Sequence, residues 1–145
     1  MRELSTSIEI YAPACHVWKI LTDFEKYQEW NPFIRSITGE PKEGSRLKVF
    51  IQPPGSGGMT FRPIVLKAEQ NRELRWLAHL FVPGLFDGEH RFVIEPIGEN
   101  RVVFIQAERF KGLLVPVFWK FLESRTREGF NEMNEALKRL ANVIC

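Results

Sequence analysis

Residues 101–142 read RVVFIQAERFKGLLVPVFWKFLESRTREGFNEMNEALKRLAN, and their apolar residues follow one period over the first ten positions and another over the rest. From Arg101 to Phe110 the alternation is of period two. Phe104, Gln106, Glu108 and Phe110 share one face and Val103, Ile105 and Ala107 the other, the pattern of a strand. From Val115 to Asn142 the steps are three and four residues, through Phe118, Leu122, Arg125, Gly129, Met133, Ala136 and Leu140. Phe121, Phe130 and Leu137 widen that stripe, no proline follows Pro116, and Gly129 is the one glycine. The spacing predicts one long amphipathic helix of roughly seven turns.

Toward the N-terminus the signal is almost entirely of strands. Leu4, Thr6, Ile8 and Ile10 alternate with polar neighbours. Ala12-Pro13 then opens a short helix carrying Val17, Trp18, Ile20 and Leu21, because proline suits a first helical turn. Thr22 or Asp23 is placed to cap a second short helix, Phe24 to Trp30, which Asn31-Pro32 ends. Further strands are expected over 33–39, 46–51, 59–68, 73–81 and 86–96, before the one at 101–110. Their connections are short, which makes sequence neighbours antiparallel partners. The fold class that follows is α+β: a curved antiparallel sheet of about six or seven strands wrapped around a long C-terminal helix. Where one helix does not fill such a curl, an internal cavity remains.

Composition narrows the function classes. At 145 residues, 44% hydrophobic and 26% charged, with no repeat, linker or low-complexity tail, residues 1–145 read as one globular domain. Twenty Lys and Arg against eighteen Asp and Glu leave a charge of +2, and the basic residues form no run, so no nucleic-acid partner is expected. Cys15 and Cys145 form neither a disulfide framework nor a metal spacing, and the first residues lack an apolar signal core. A cytoplasmic protein without membrane spans is the expectation, monomeric or a weak homodimer. No metal or organic cofactor is indicated. Twelve Phe, four Trp and two Tyr are many for this length, and aromatic side chains also line pockets for apolar ligands.

The run Val17-Trp18-x-Ile20-Leu21-x-Asp23-Phe24-x-x-Tyr27-x-x-Trp30-Asn31-Pro32-Phe33 resembles the opening of the polyketide cyclase/dehydrase branch of the START-like (SRPBCC) superfamily. Glu73-Leu74-Arg75-Trp76, the run from Pro83 to Phe92, Glu108-Arg109-Phe110-x-Gly112-Leu113-Leu114-Val115-Pro116 and Gly129-Phe130-x-x-Met133-Asn134 match the same branch in colinear order. The resemblance implies a helix-grip fold whose sheet holds the C-terminal helix around an apolar cavity. It leaves function open, because members bind lipids, hormones, quinones or polyketides and a minority catalyse cyclisation or dehydration.

Polar residues on apolar strand faces are the candidates for chemistry. His90 shares its face with Phe92 and Ile94, where a neutral imidazole either hydrogen-bonds a ligand or acts as a base, unless a neighbouring strand or helix simply satisfies it. If the Phe104/Gln106/Glu108 face looks inward, an amide and a carboxylate enter an aromatic cavity, and Glu108 has a raised pKa; if outward, Glu108 is merely solvated. Arg125 lies on the helical stripe, where it snorkels or pairs with Glu108. Trp30, Phe33 and Trp76 read either as cavity lining or as packing, and Phe118, Leu122 and Met133 as the helical floor of the cavity. His16, beside Cys15, is read as a surface residue, and His79 as facing either cavity or solvent. The glycine-rich Gly55-Ser56-Gly57-Gly58 precedes a strand rather than a helix, which does not suit a phosphate cradle. Its loop, 52–58, and that at 82–85 are candidate gates. The expected function is binding of a small hydrophobic or amphipathic ligand, such as a lipid, polyketide or isoprenoid-like molecule. One alternative is a polyketide cyclase/dehydratase-type enzyme using His90 or Glu108 as acid/base, and another is an interaction module whose cavity its own side chains fill.

Overall fold

The computed structural model describes residues 1–80 and 82–143; Phe81, the expected end of one strand, and Cys145 lie outside them. Strand β1 (Arg2–Ile10) leads into α1 (Ala14–Thr22), a 3-10 turn (Phe24–Lys26) and α2 (Tyr27–Trp30). Strands β2 (Ile34–Thr38), β3 (Lys48–Ile51), β4 (Met59–Phe61), β5 (Ile64–Glu69), β6 (Glu73–Leu80), β7 (Phe86–Gly98) and β8 (Arg101–Lys111) follow, and α3 (Val115–Val143) completes the chain. Five strands form one antiparallel sheet in the order β1-β8-β7-β6-β5, and β2-β3-β4 form a second. This is the helix-grip arrangement that the periods predict. Among the described residues no helix is long and apolar enough to cross a membrane.

The expected strand over 59–68 is two strands, because Arg62-Pro63 breaks it. Proline has no N–H to give a ladder, and here its carbonyl accepts the Leu47 N–H at 2.8 Å instead. Val65 N–H then donates to Ser45 O (2.9 Å) and Gly44 N–H to Val65 O (2.8 Å), so the small sheet joins the edge of the large one at a bend. The pairing of 44–47 with 63–65 also explains why the strand expected from Arg46 starts at Lys48.

At the other end, neither Thr22 nor Asp23 caps the second short helix. The Thr22 hydroxyl turns back to donate to Trp18 O at 2.8 Å, and the Asp23 side chain makes no cap bond. Tyr27 anchors this corner by donating its hydroxyl to Leu21 O, and full burial raises its pKa. Asn31 Oδ1 accepts the N–H of Phe33 (3.0 Å) and of Ile34 (2.8 Å), so the turn around Pro32 feeds directly into β2.

Helix α3 is buried over only part of its length. Phe130, Met133, Leu137 and Ala141 pack against β1 and β8 in the core with Leu4, Ile10 and Phe104. The stripe predicted from Phe118 onward is not continuous: Phe118 is 47% and Phe121 57% exposed, and after Val115 the next buried position is Thr126. The reason lies beneath the helix. Between Val115 and Thr126 one side of the helix overhangs a cavity, while Trp119 packs edge-on against Phe110 of β8 at 5.8 Å.

Candidate functional site

The cavity has a volume of about 460 Å³ and lies between the inner face of the large sheet, the small sheet and the first half of α3. Strand register builds its inner wall in two rows. Trp76, His90 and Glu108 stand opposite one another on β6, β7 and β8, and Ala78, Gly88 and Phe110 form the next row. Val49 and Ile51 of β3 with Met59 and Phe61 of β4 make the facing wall, Phe33 closes one end, and Phe118, Phe121, Leu122 and Thr126 hang over it from α3. The 52–58 loop contributes Pro53, Ser56 and Gly57. The Val82–Leu85 segment ties to the start of α3 through Leu113 N–H to Gly84 O (3.1 Å) and Leu114 N–H to Leu85 O (3.0 Å).

The face of β8 that the sequence leaves open looks inward: Phe104 and Gln106 are fully buried and Phe110 nearly so. Of the twelve residues singled out for the cavity, Phe33, Trp76, His90, Glu108, Phe118 and Leu122 stand on its wall. Phe104 and Met133 sit in the core beyond it, and Phe92 stacks behind His90 with ring centroids 4.5 Å apart. Trp30 packs edge-on against Tyr27 (5.2 Å) and anchors the short helices. Arg125 does not pair with Glu108. Its guanidinium donates to Pro54 O at 2.9 Å and lies 5.3 Å from the Phe121 ring, because the loop carbonyl reaches it on the outer side of the helix stripe. His79 faces outward, with Nδ1 2.6 Å from Asp87 Oδ1, and the Gly84 N–H also donates to Asp87, at 3.1 Å. His16 is not the surface residue expected, since its Nε2 is buried without a partner, while Cys15 beside it is exposed.

His90 is 1% exposed and lies among the rings of Phe92, Trp76 (5.4 Å) and Phe130 (5.0 Å). Burial in this aromatic setting lowers its pKa to about 4, against a hydrogen bond to Gln106 that favours protonation. Its Nε2 is 3.0 Å from Gln106 Oε1. Gln106 Nε2 donates to Asn134 Oδ1 (2.8 Å) and Phe130 O (3.5 Å), Asn134 Nδ2 donates to Thr6 Oγ1 (2.9 Å), and Thr6 donates to Gln106 O (3.1 Å). The two backbone carbonyls can only accept, and they fix the direction of the chain. Gln106 must present its oxygen to His90, so the neutral imidazole carries its proton on Nε2 and keeps a lone pair on Nδ1.

That lone pair faces Glu108, whose Oε1 is 3.5 Å away. The Glu108 side chain is 18% exposed and stands on the cavity wall. Gly88 leaves room for it, because a Cβ at that position would collide with Glu108 Oε2. Burial raises the Glu108 pKa to about 8, so at neutral pH the group is chiefly a carboxylic acid. The site thus holds a neutral acid and a neutral base side by side on an apolar wall. Thr6, Asn134 and Gly88 are absent from the sequence-level candidates. Thr6 carries a signal all the same, being a polar residue in phase with Leu4 and Ile10.

Across residues 1–142 the sequence matches the family described as polyketide cyclase/dehydrase and lipid transport. Among curated proteins no sequence match is found. Among solved structures, a START superfamily protein from Mycobacterium smegmatis superposes with a TM-score of 0.79 at 21% identity, over 99% of both chains. The Zhui aromatase/cyclase from Streptomyces sp. R1128 gives 0.76 at 15% identity, over 97% of this chain and 93% of its own. Norcoclaurine synthase from Thalictrum flavum, in complex with dopamine and hydroxybenzaldehyde, gives 0.75 at 13% identity, over 99% of this chain and 88% of its own. At these identities the likeness establishes the fold.

Proposed function

The chain belongs to the polyketide cyclase/dehydrase and lipid transport family of START-like proteins, and from that premise we propose that it binds a small hydrophobic or amphipathic molecule of lipid, polyketide or isoprenoid-like character in the cavity. The observation that carries this reading is an apolar chamber of about 460 Å³ with two polar groups, His90 and Glu108, converging at its inner wall. That combination suits a ligand site: apolar area supplies affinity, at roughly 25 cal/mol per Å² before the costs of association, and the polar pair orients an oxygen function. A chamber of this size counts against an interaction module whose interior is filled by its own side chains.

Native mass spectrometry of freshly purified protein, compared with the denatured sample, tests the proposal. A mass excess that disappears on denaturation, at the mass of an apolar compound, is the expected result. No excess, together with no thermal stabilisation by fatty alcohols, quinones or aromatic polyketides, would overturn it.

The acid–base pair favours a second reading, an enzyme of the cyclase or dehydratase type. A carboxylic acid beside an imidazole lone pair is equipped to protonate a departing oxygen and to take a proton from carbon or hydroxyl. In that case Glu108→Gln and His90→Ala lose turnover of the bound compound while its affinity survives. Equal loss of both functions favours the carrier.

A further inference from the structure

Resting on the cavity as the ligand site, we infer that its inner end takes an uncharged ligand by a hydroxyl-type oxygen (alcohol, phenol or enol) and rejects a carboxylate there. The first argument is one of charge. Among the described residues no Lys or Arg lines the cavity, and the guanidinium of Arg125 is turned to Pro54 O and the Phe121 ring. An anionic head carried to the inner wall would lose its hydration and meet no cation. It would also lie against Glu108, whose own negative charge that wall already disfavours. Burying an ion unpaired is strongly unfavourable.

The second argument is an accounting of donors and acceptors. In the chain from Thr6 through Asn134 and Gln106 to His90, each donor atom already has an acceptor, and the direction leaves Nδ1 an acceptor on the side of Glu108. At 3.5 Å the contact between Nδ1 and Glu108 Oε1 is too long for a good hydrogen bond. A hydroxyl seated against both accepts from the acid and donates to the imidazole, so it satisfies each group. A carbonyl oxygen satisfies only the acid, and a carboxylate brings a charge as well. The raised pKa of Glu108 keeps the acid form available through neutral pH. Ser56 offers little competition, since its hydroxyl is within reach of Pro53 O (3.2 Å) and Gly57 O (3.3 Å) in its own loop.

Three probes with one skeleton separate the terms: naphthalene, 2-naphthol and 2-naphthoate, each competing at pH 6.5 with the neutral fluorescent reporter N-phenyl-1-naphthylamine. Naphthol is expected to displace the reporter at least about tenfold more tightly than naphthoate, and more tightly than naphthalene. In Glu108→Leu the advantage of naphthol over naphthalene should disappear while the reporter still binds. Glu108→Gln, which keeps a donor of the same shape, should retain part of it. Naphthoate binding as tightly as naphthol, or a naphthol advantage that survives in Glu108→Leu, would overturn the inference and leave the cavity reading standing. If neither the reporter nor naphthalene binds at all, the cavity reading falls, and the head-group inference with it.

Discussion

His90 and Glu108 illustrate how burial dominates the choice of protonation state, and the consequence is measurable as stability against pH. The folded value for Glu108, about 8, lies above its ordinary 4.5, so over that interval the folded chain holds a proton that the unfolded chain has released. Its contribution is complete below pH 4.5 and is lost as pH rises through 8. His90 has the opposite sense: at about 4 against an ordinary 6.5, the folded chain lacks a proton that the unfolded chain binds, and stability is lost as pH falls through that interval. Between 4.5 and 6.5 the two slopes offset one another, and from 6.5 to 8 the Glu108 slope acts alone, at up to about 1.4 kcal/mol per pH unit. Glu108→Gln should therefore flatten the decline between pH 6.5 and 8 and unmask the His90 rise between pH 5 and 6.5, where the parent is nearly flat, as urea midpoints at pH 5, 6.5 and 8 would reveal. A variant that declines like the parent would assign the alkaline limb to another group. Much of this was legible in the alternation of the 101–110 strand, which pairs Gln106 and Glu108 with two phenylalanines. The partner that fixes the His90 tautomer was not legible, because Thr6, Gln106 and Asn134 lie 100 and 28 residues apart and meet only through register and helix placement.

The long helix is the element that both covers the core and leaves the cavity, and Gly129 is where those roles meet. A side chain at this position would overlap the ring of Phe33, which closes one end of the cavity and packs edge-on against Phe130 at 5.6 Å. In an open helix Gly→Ala gains up to about 1 kcal/mol from propensity. Here overpacking works against that gain, at a cost of about 1–3 kcal/mol, or else the ring swings into the cavity. Gly129→Val, with two further methyls and β-branching, should lower the melting temperature and weaken reporter binding together. A Gly129→Val protein that melts and binds like the parent would show that α3 can lift freely from Phe33. At this scale the sequence was most informative. Period two and period three-to-four placed all the long strands and α3. What they missed was the break at Pro63, which appears as a hydrogen-bond detour to Leu47, and the exposed start of α3, since an apolar stripe looks the same over a core as over a cavity.

A fold that keeps a chamber open gives up packing that its own side chains would otherwise provide, so filling the chamber should separate stability from binding. Ala78 is suited to this: it stands on the inner face of β6 in the row with Gly88 and Phe110 and opens onto the cavity. Ala78→Phe adds a ring where there is free volume and disturbs no hydrogen bond of the Thr6–Asn134–Gln106–His90 chain, of which His90 lies one row away, Gln106 and Thr6 two rows away and Asn134 on α3. The parent, held with N-phenyl-1-naphthylamine at a hundred times its Kd, should gain about 2.7 kcal/mol, or roughly 5–10 °C in melting temperature for a chain of this size. Ala78→Phe without ligand should melt no lower than the parent, yet the added reporter should no longer raise its melting temperature. Calorimetric scans of both proteins, with and without the reporter, decide the matter. A shift that persists in Ala78→Phe would place the reporter outside the chamber, on the exposed apolar residues Leu113 and Val117 around the start of α3. A lower melting temperature without ligand would mean instead that the row of β6, β7 and β8 side chains is already close-packed at Ala78, so that the usable space lies toward the Met59 and Phe118 side.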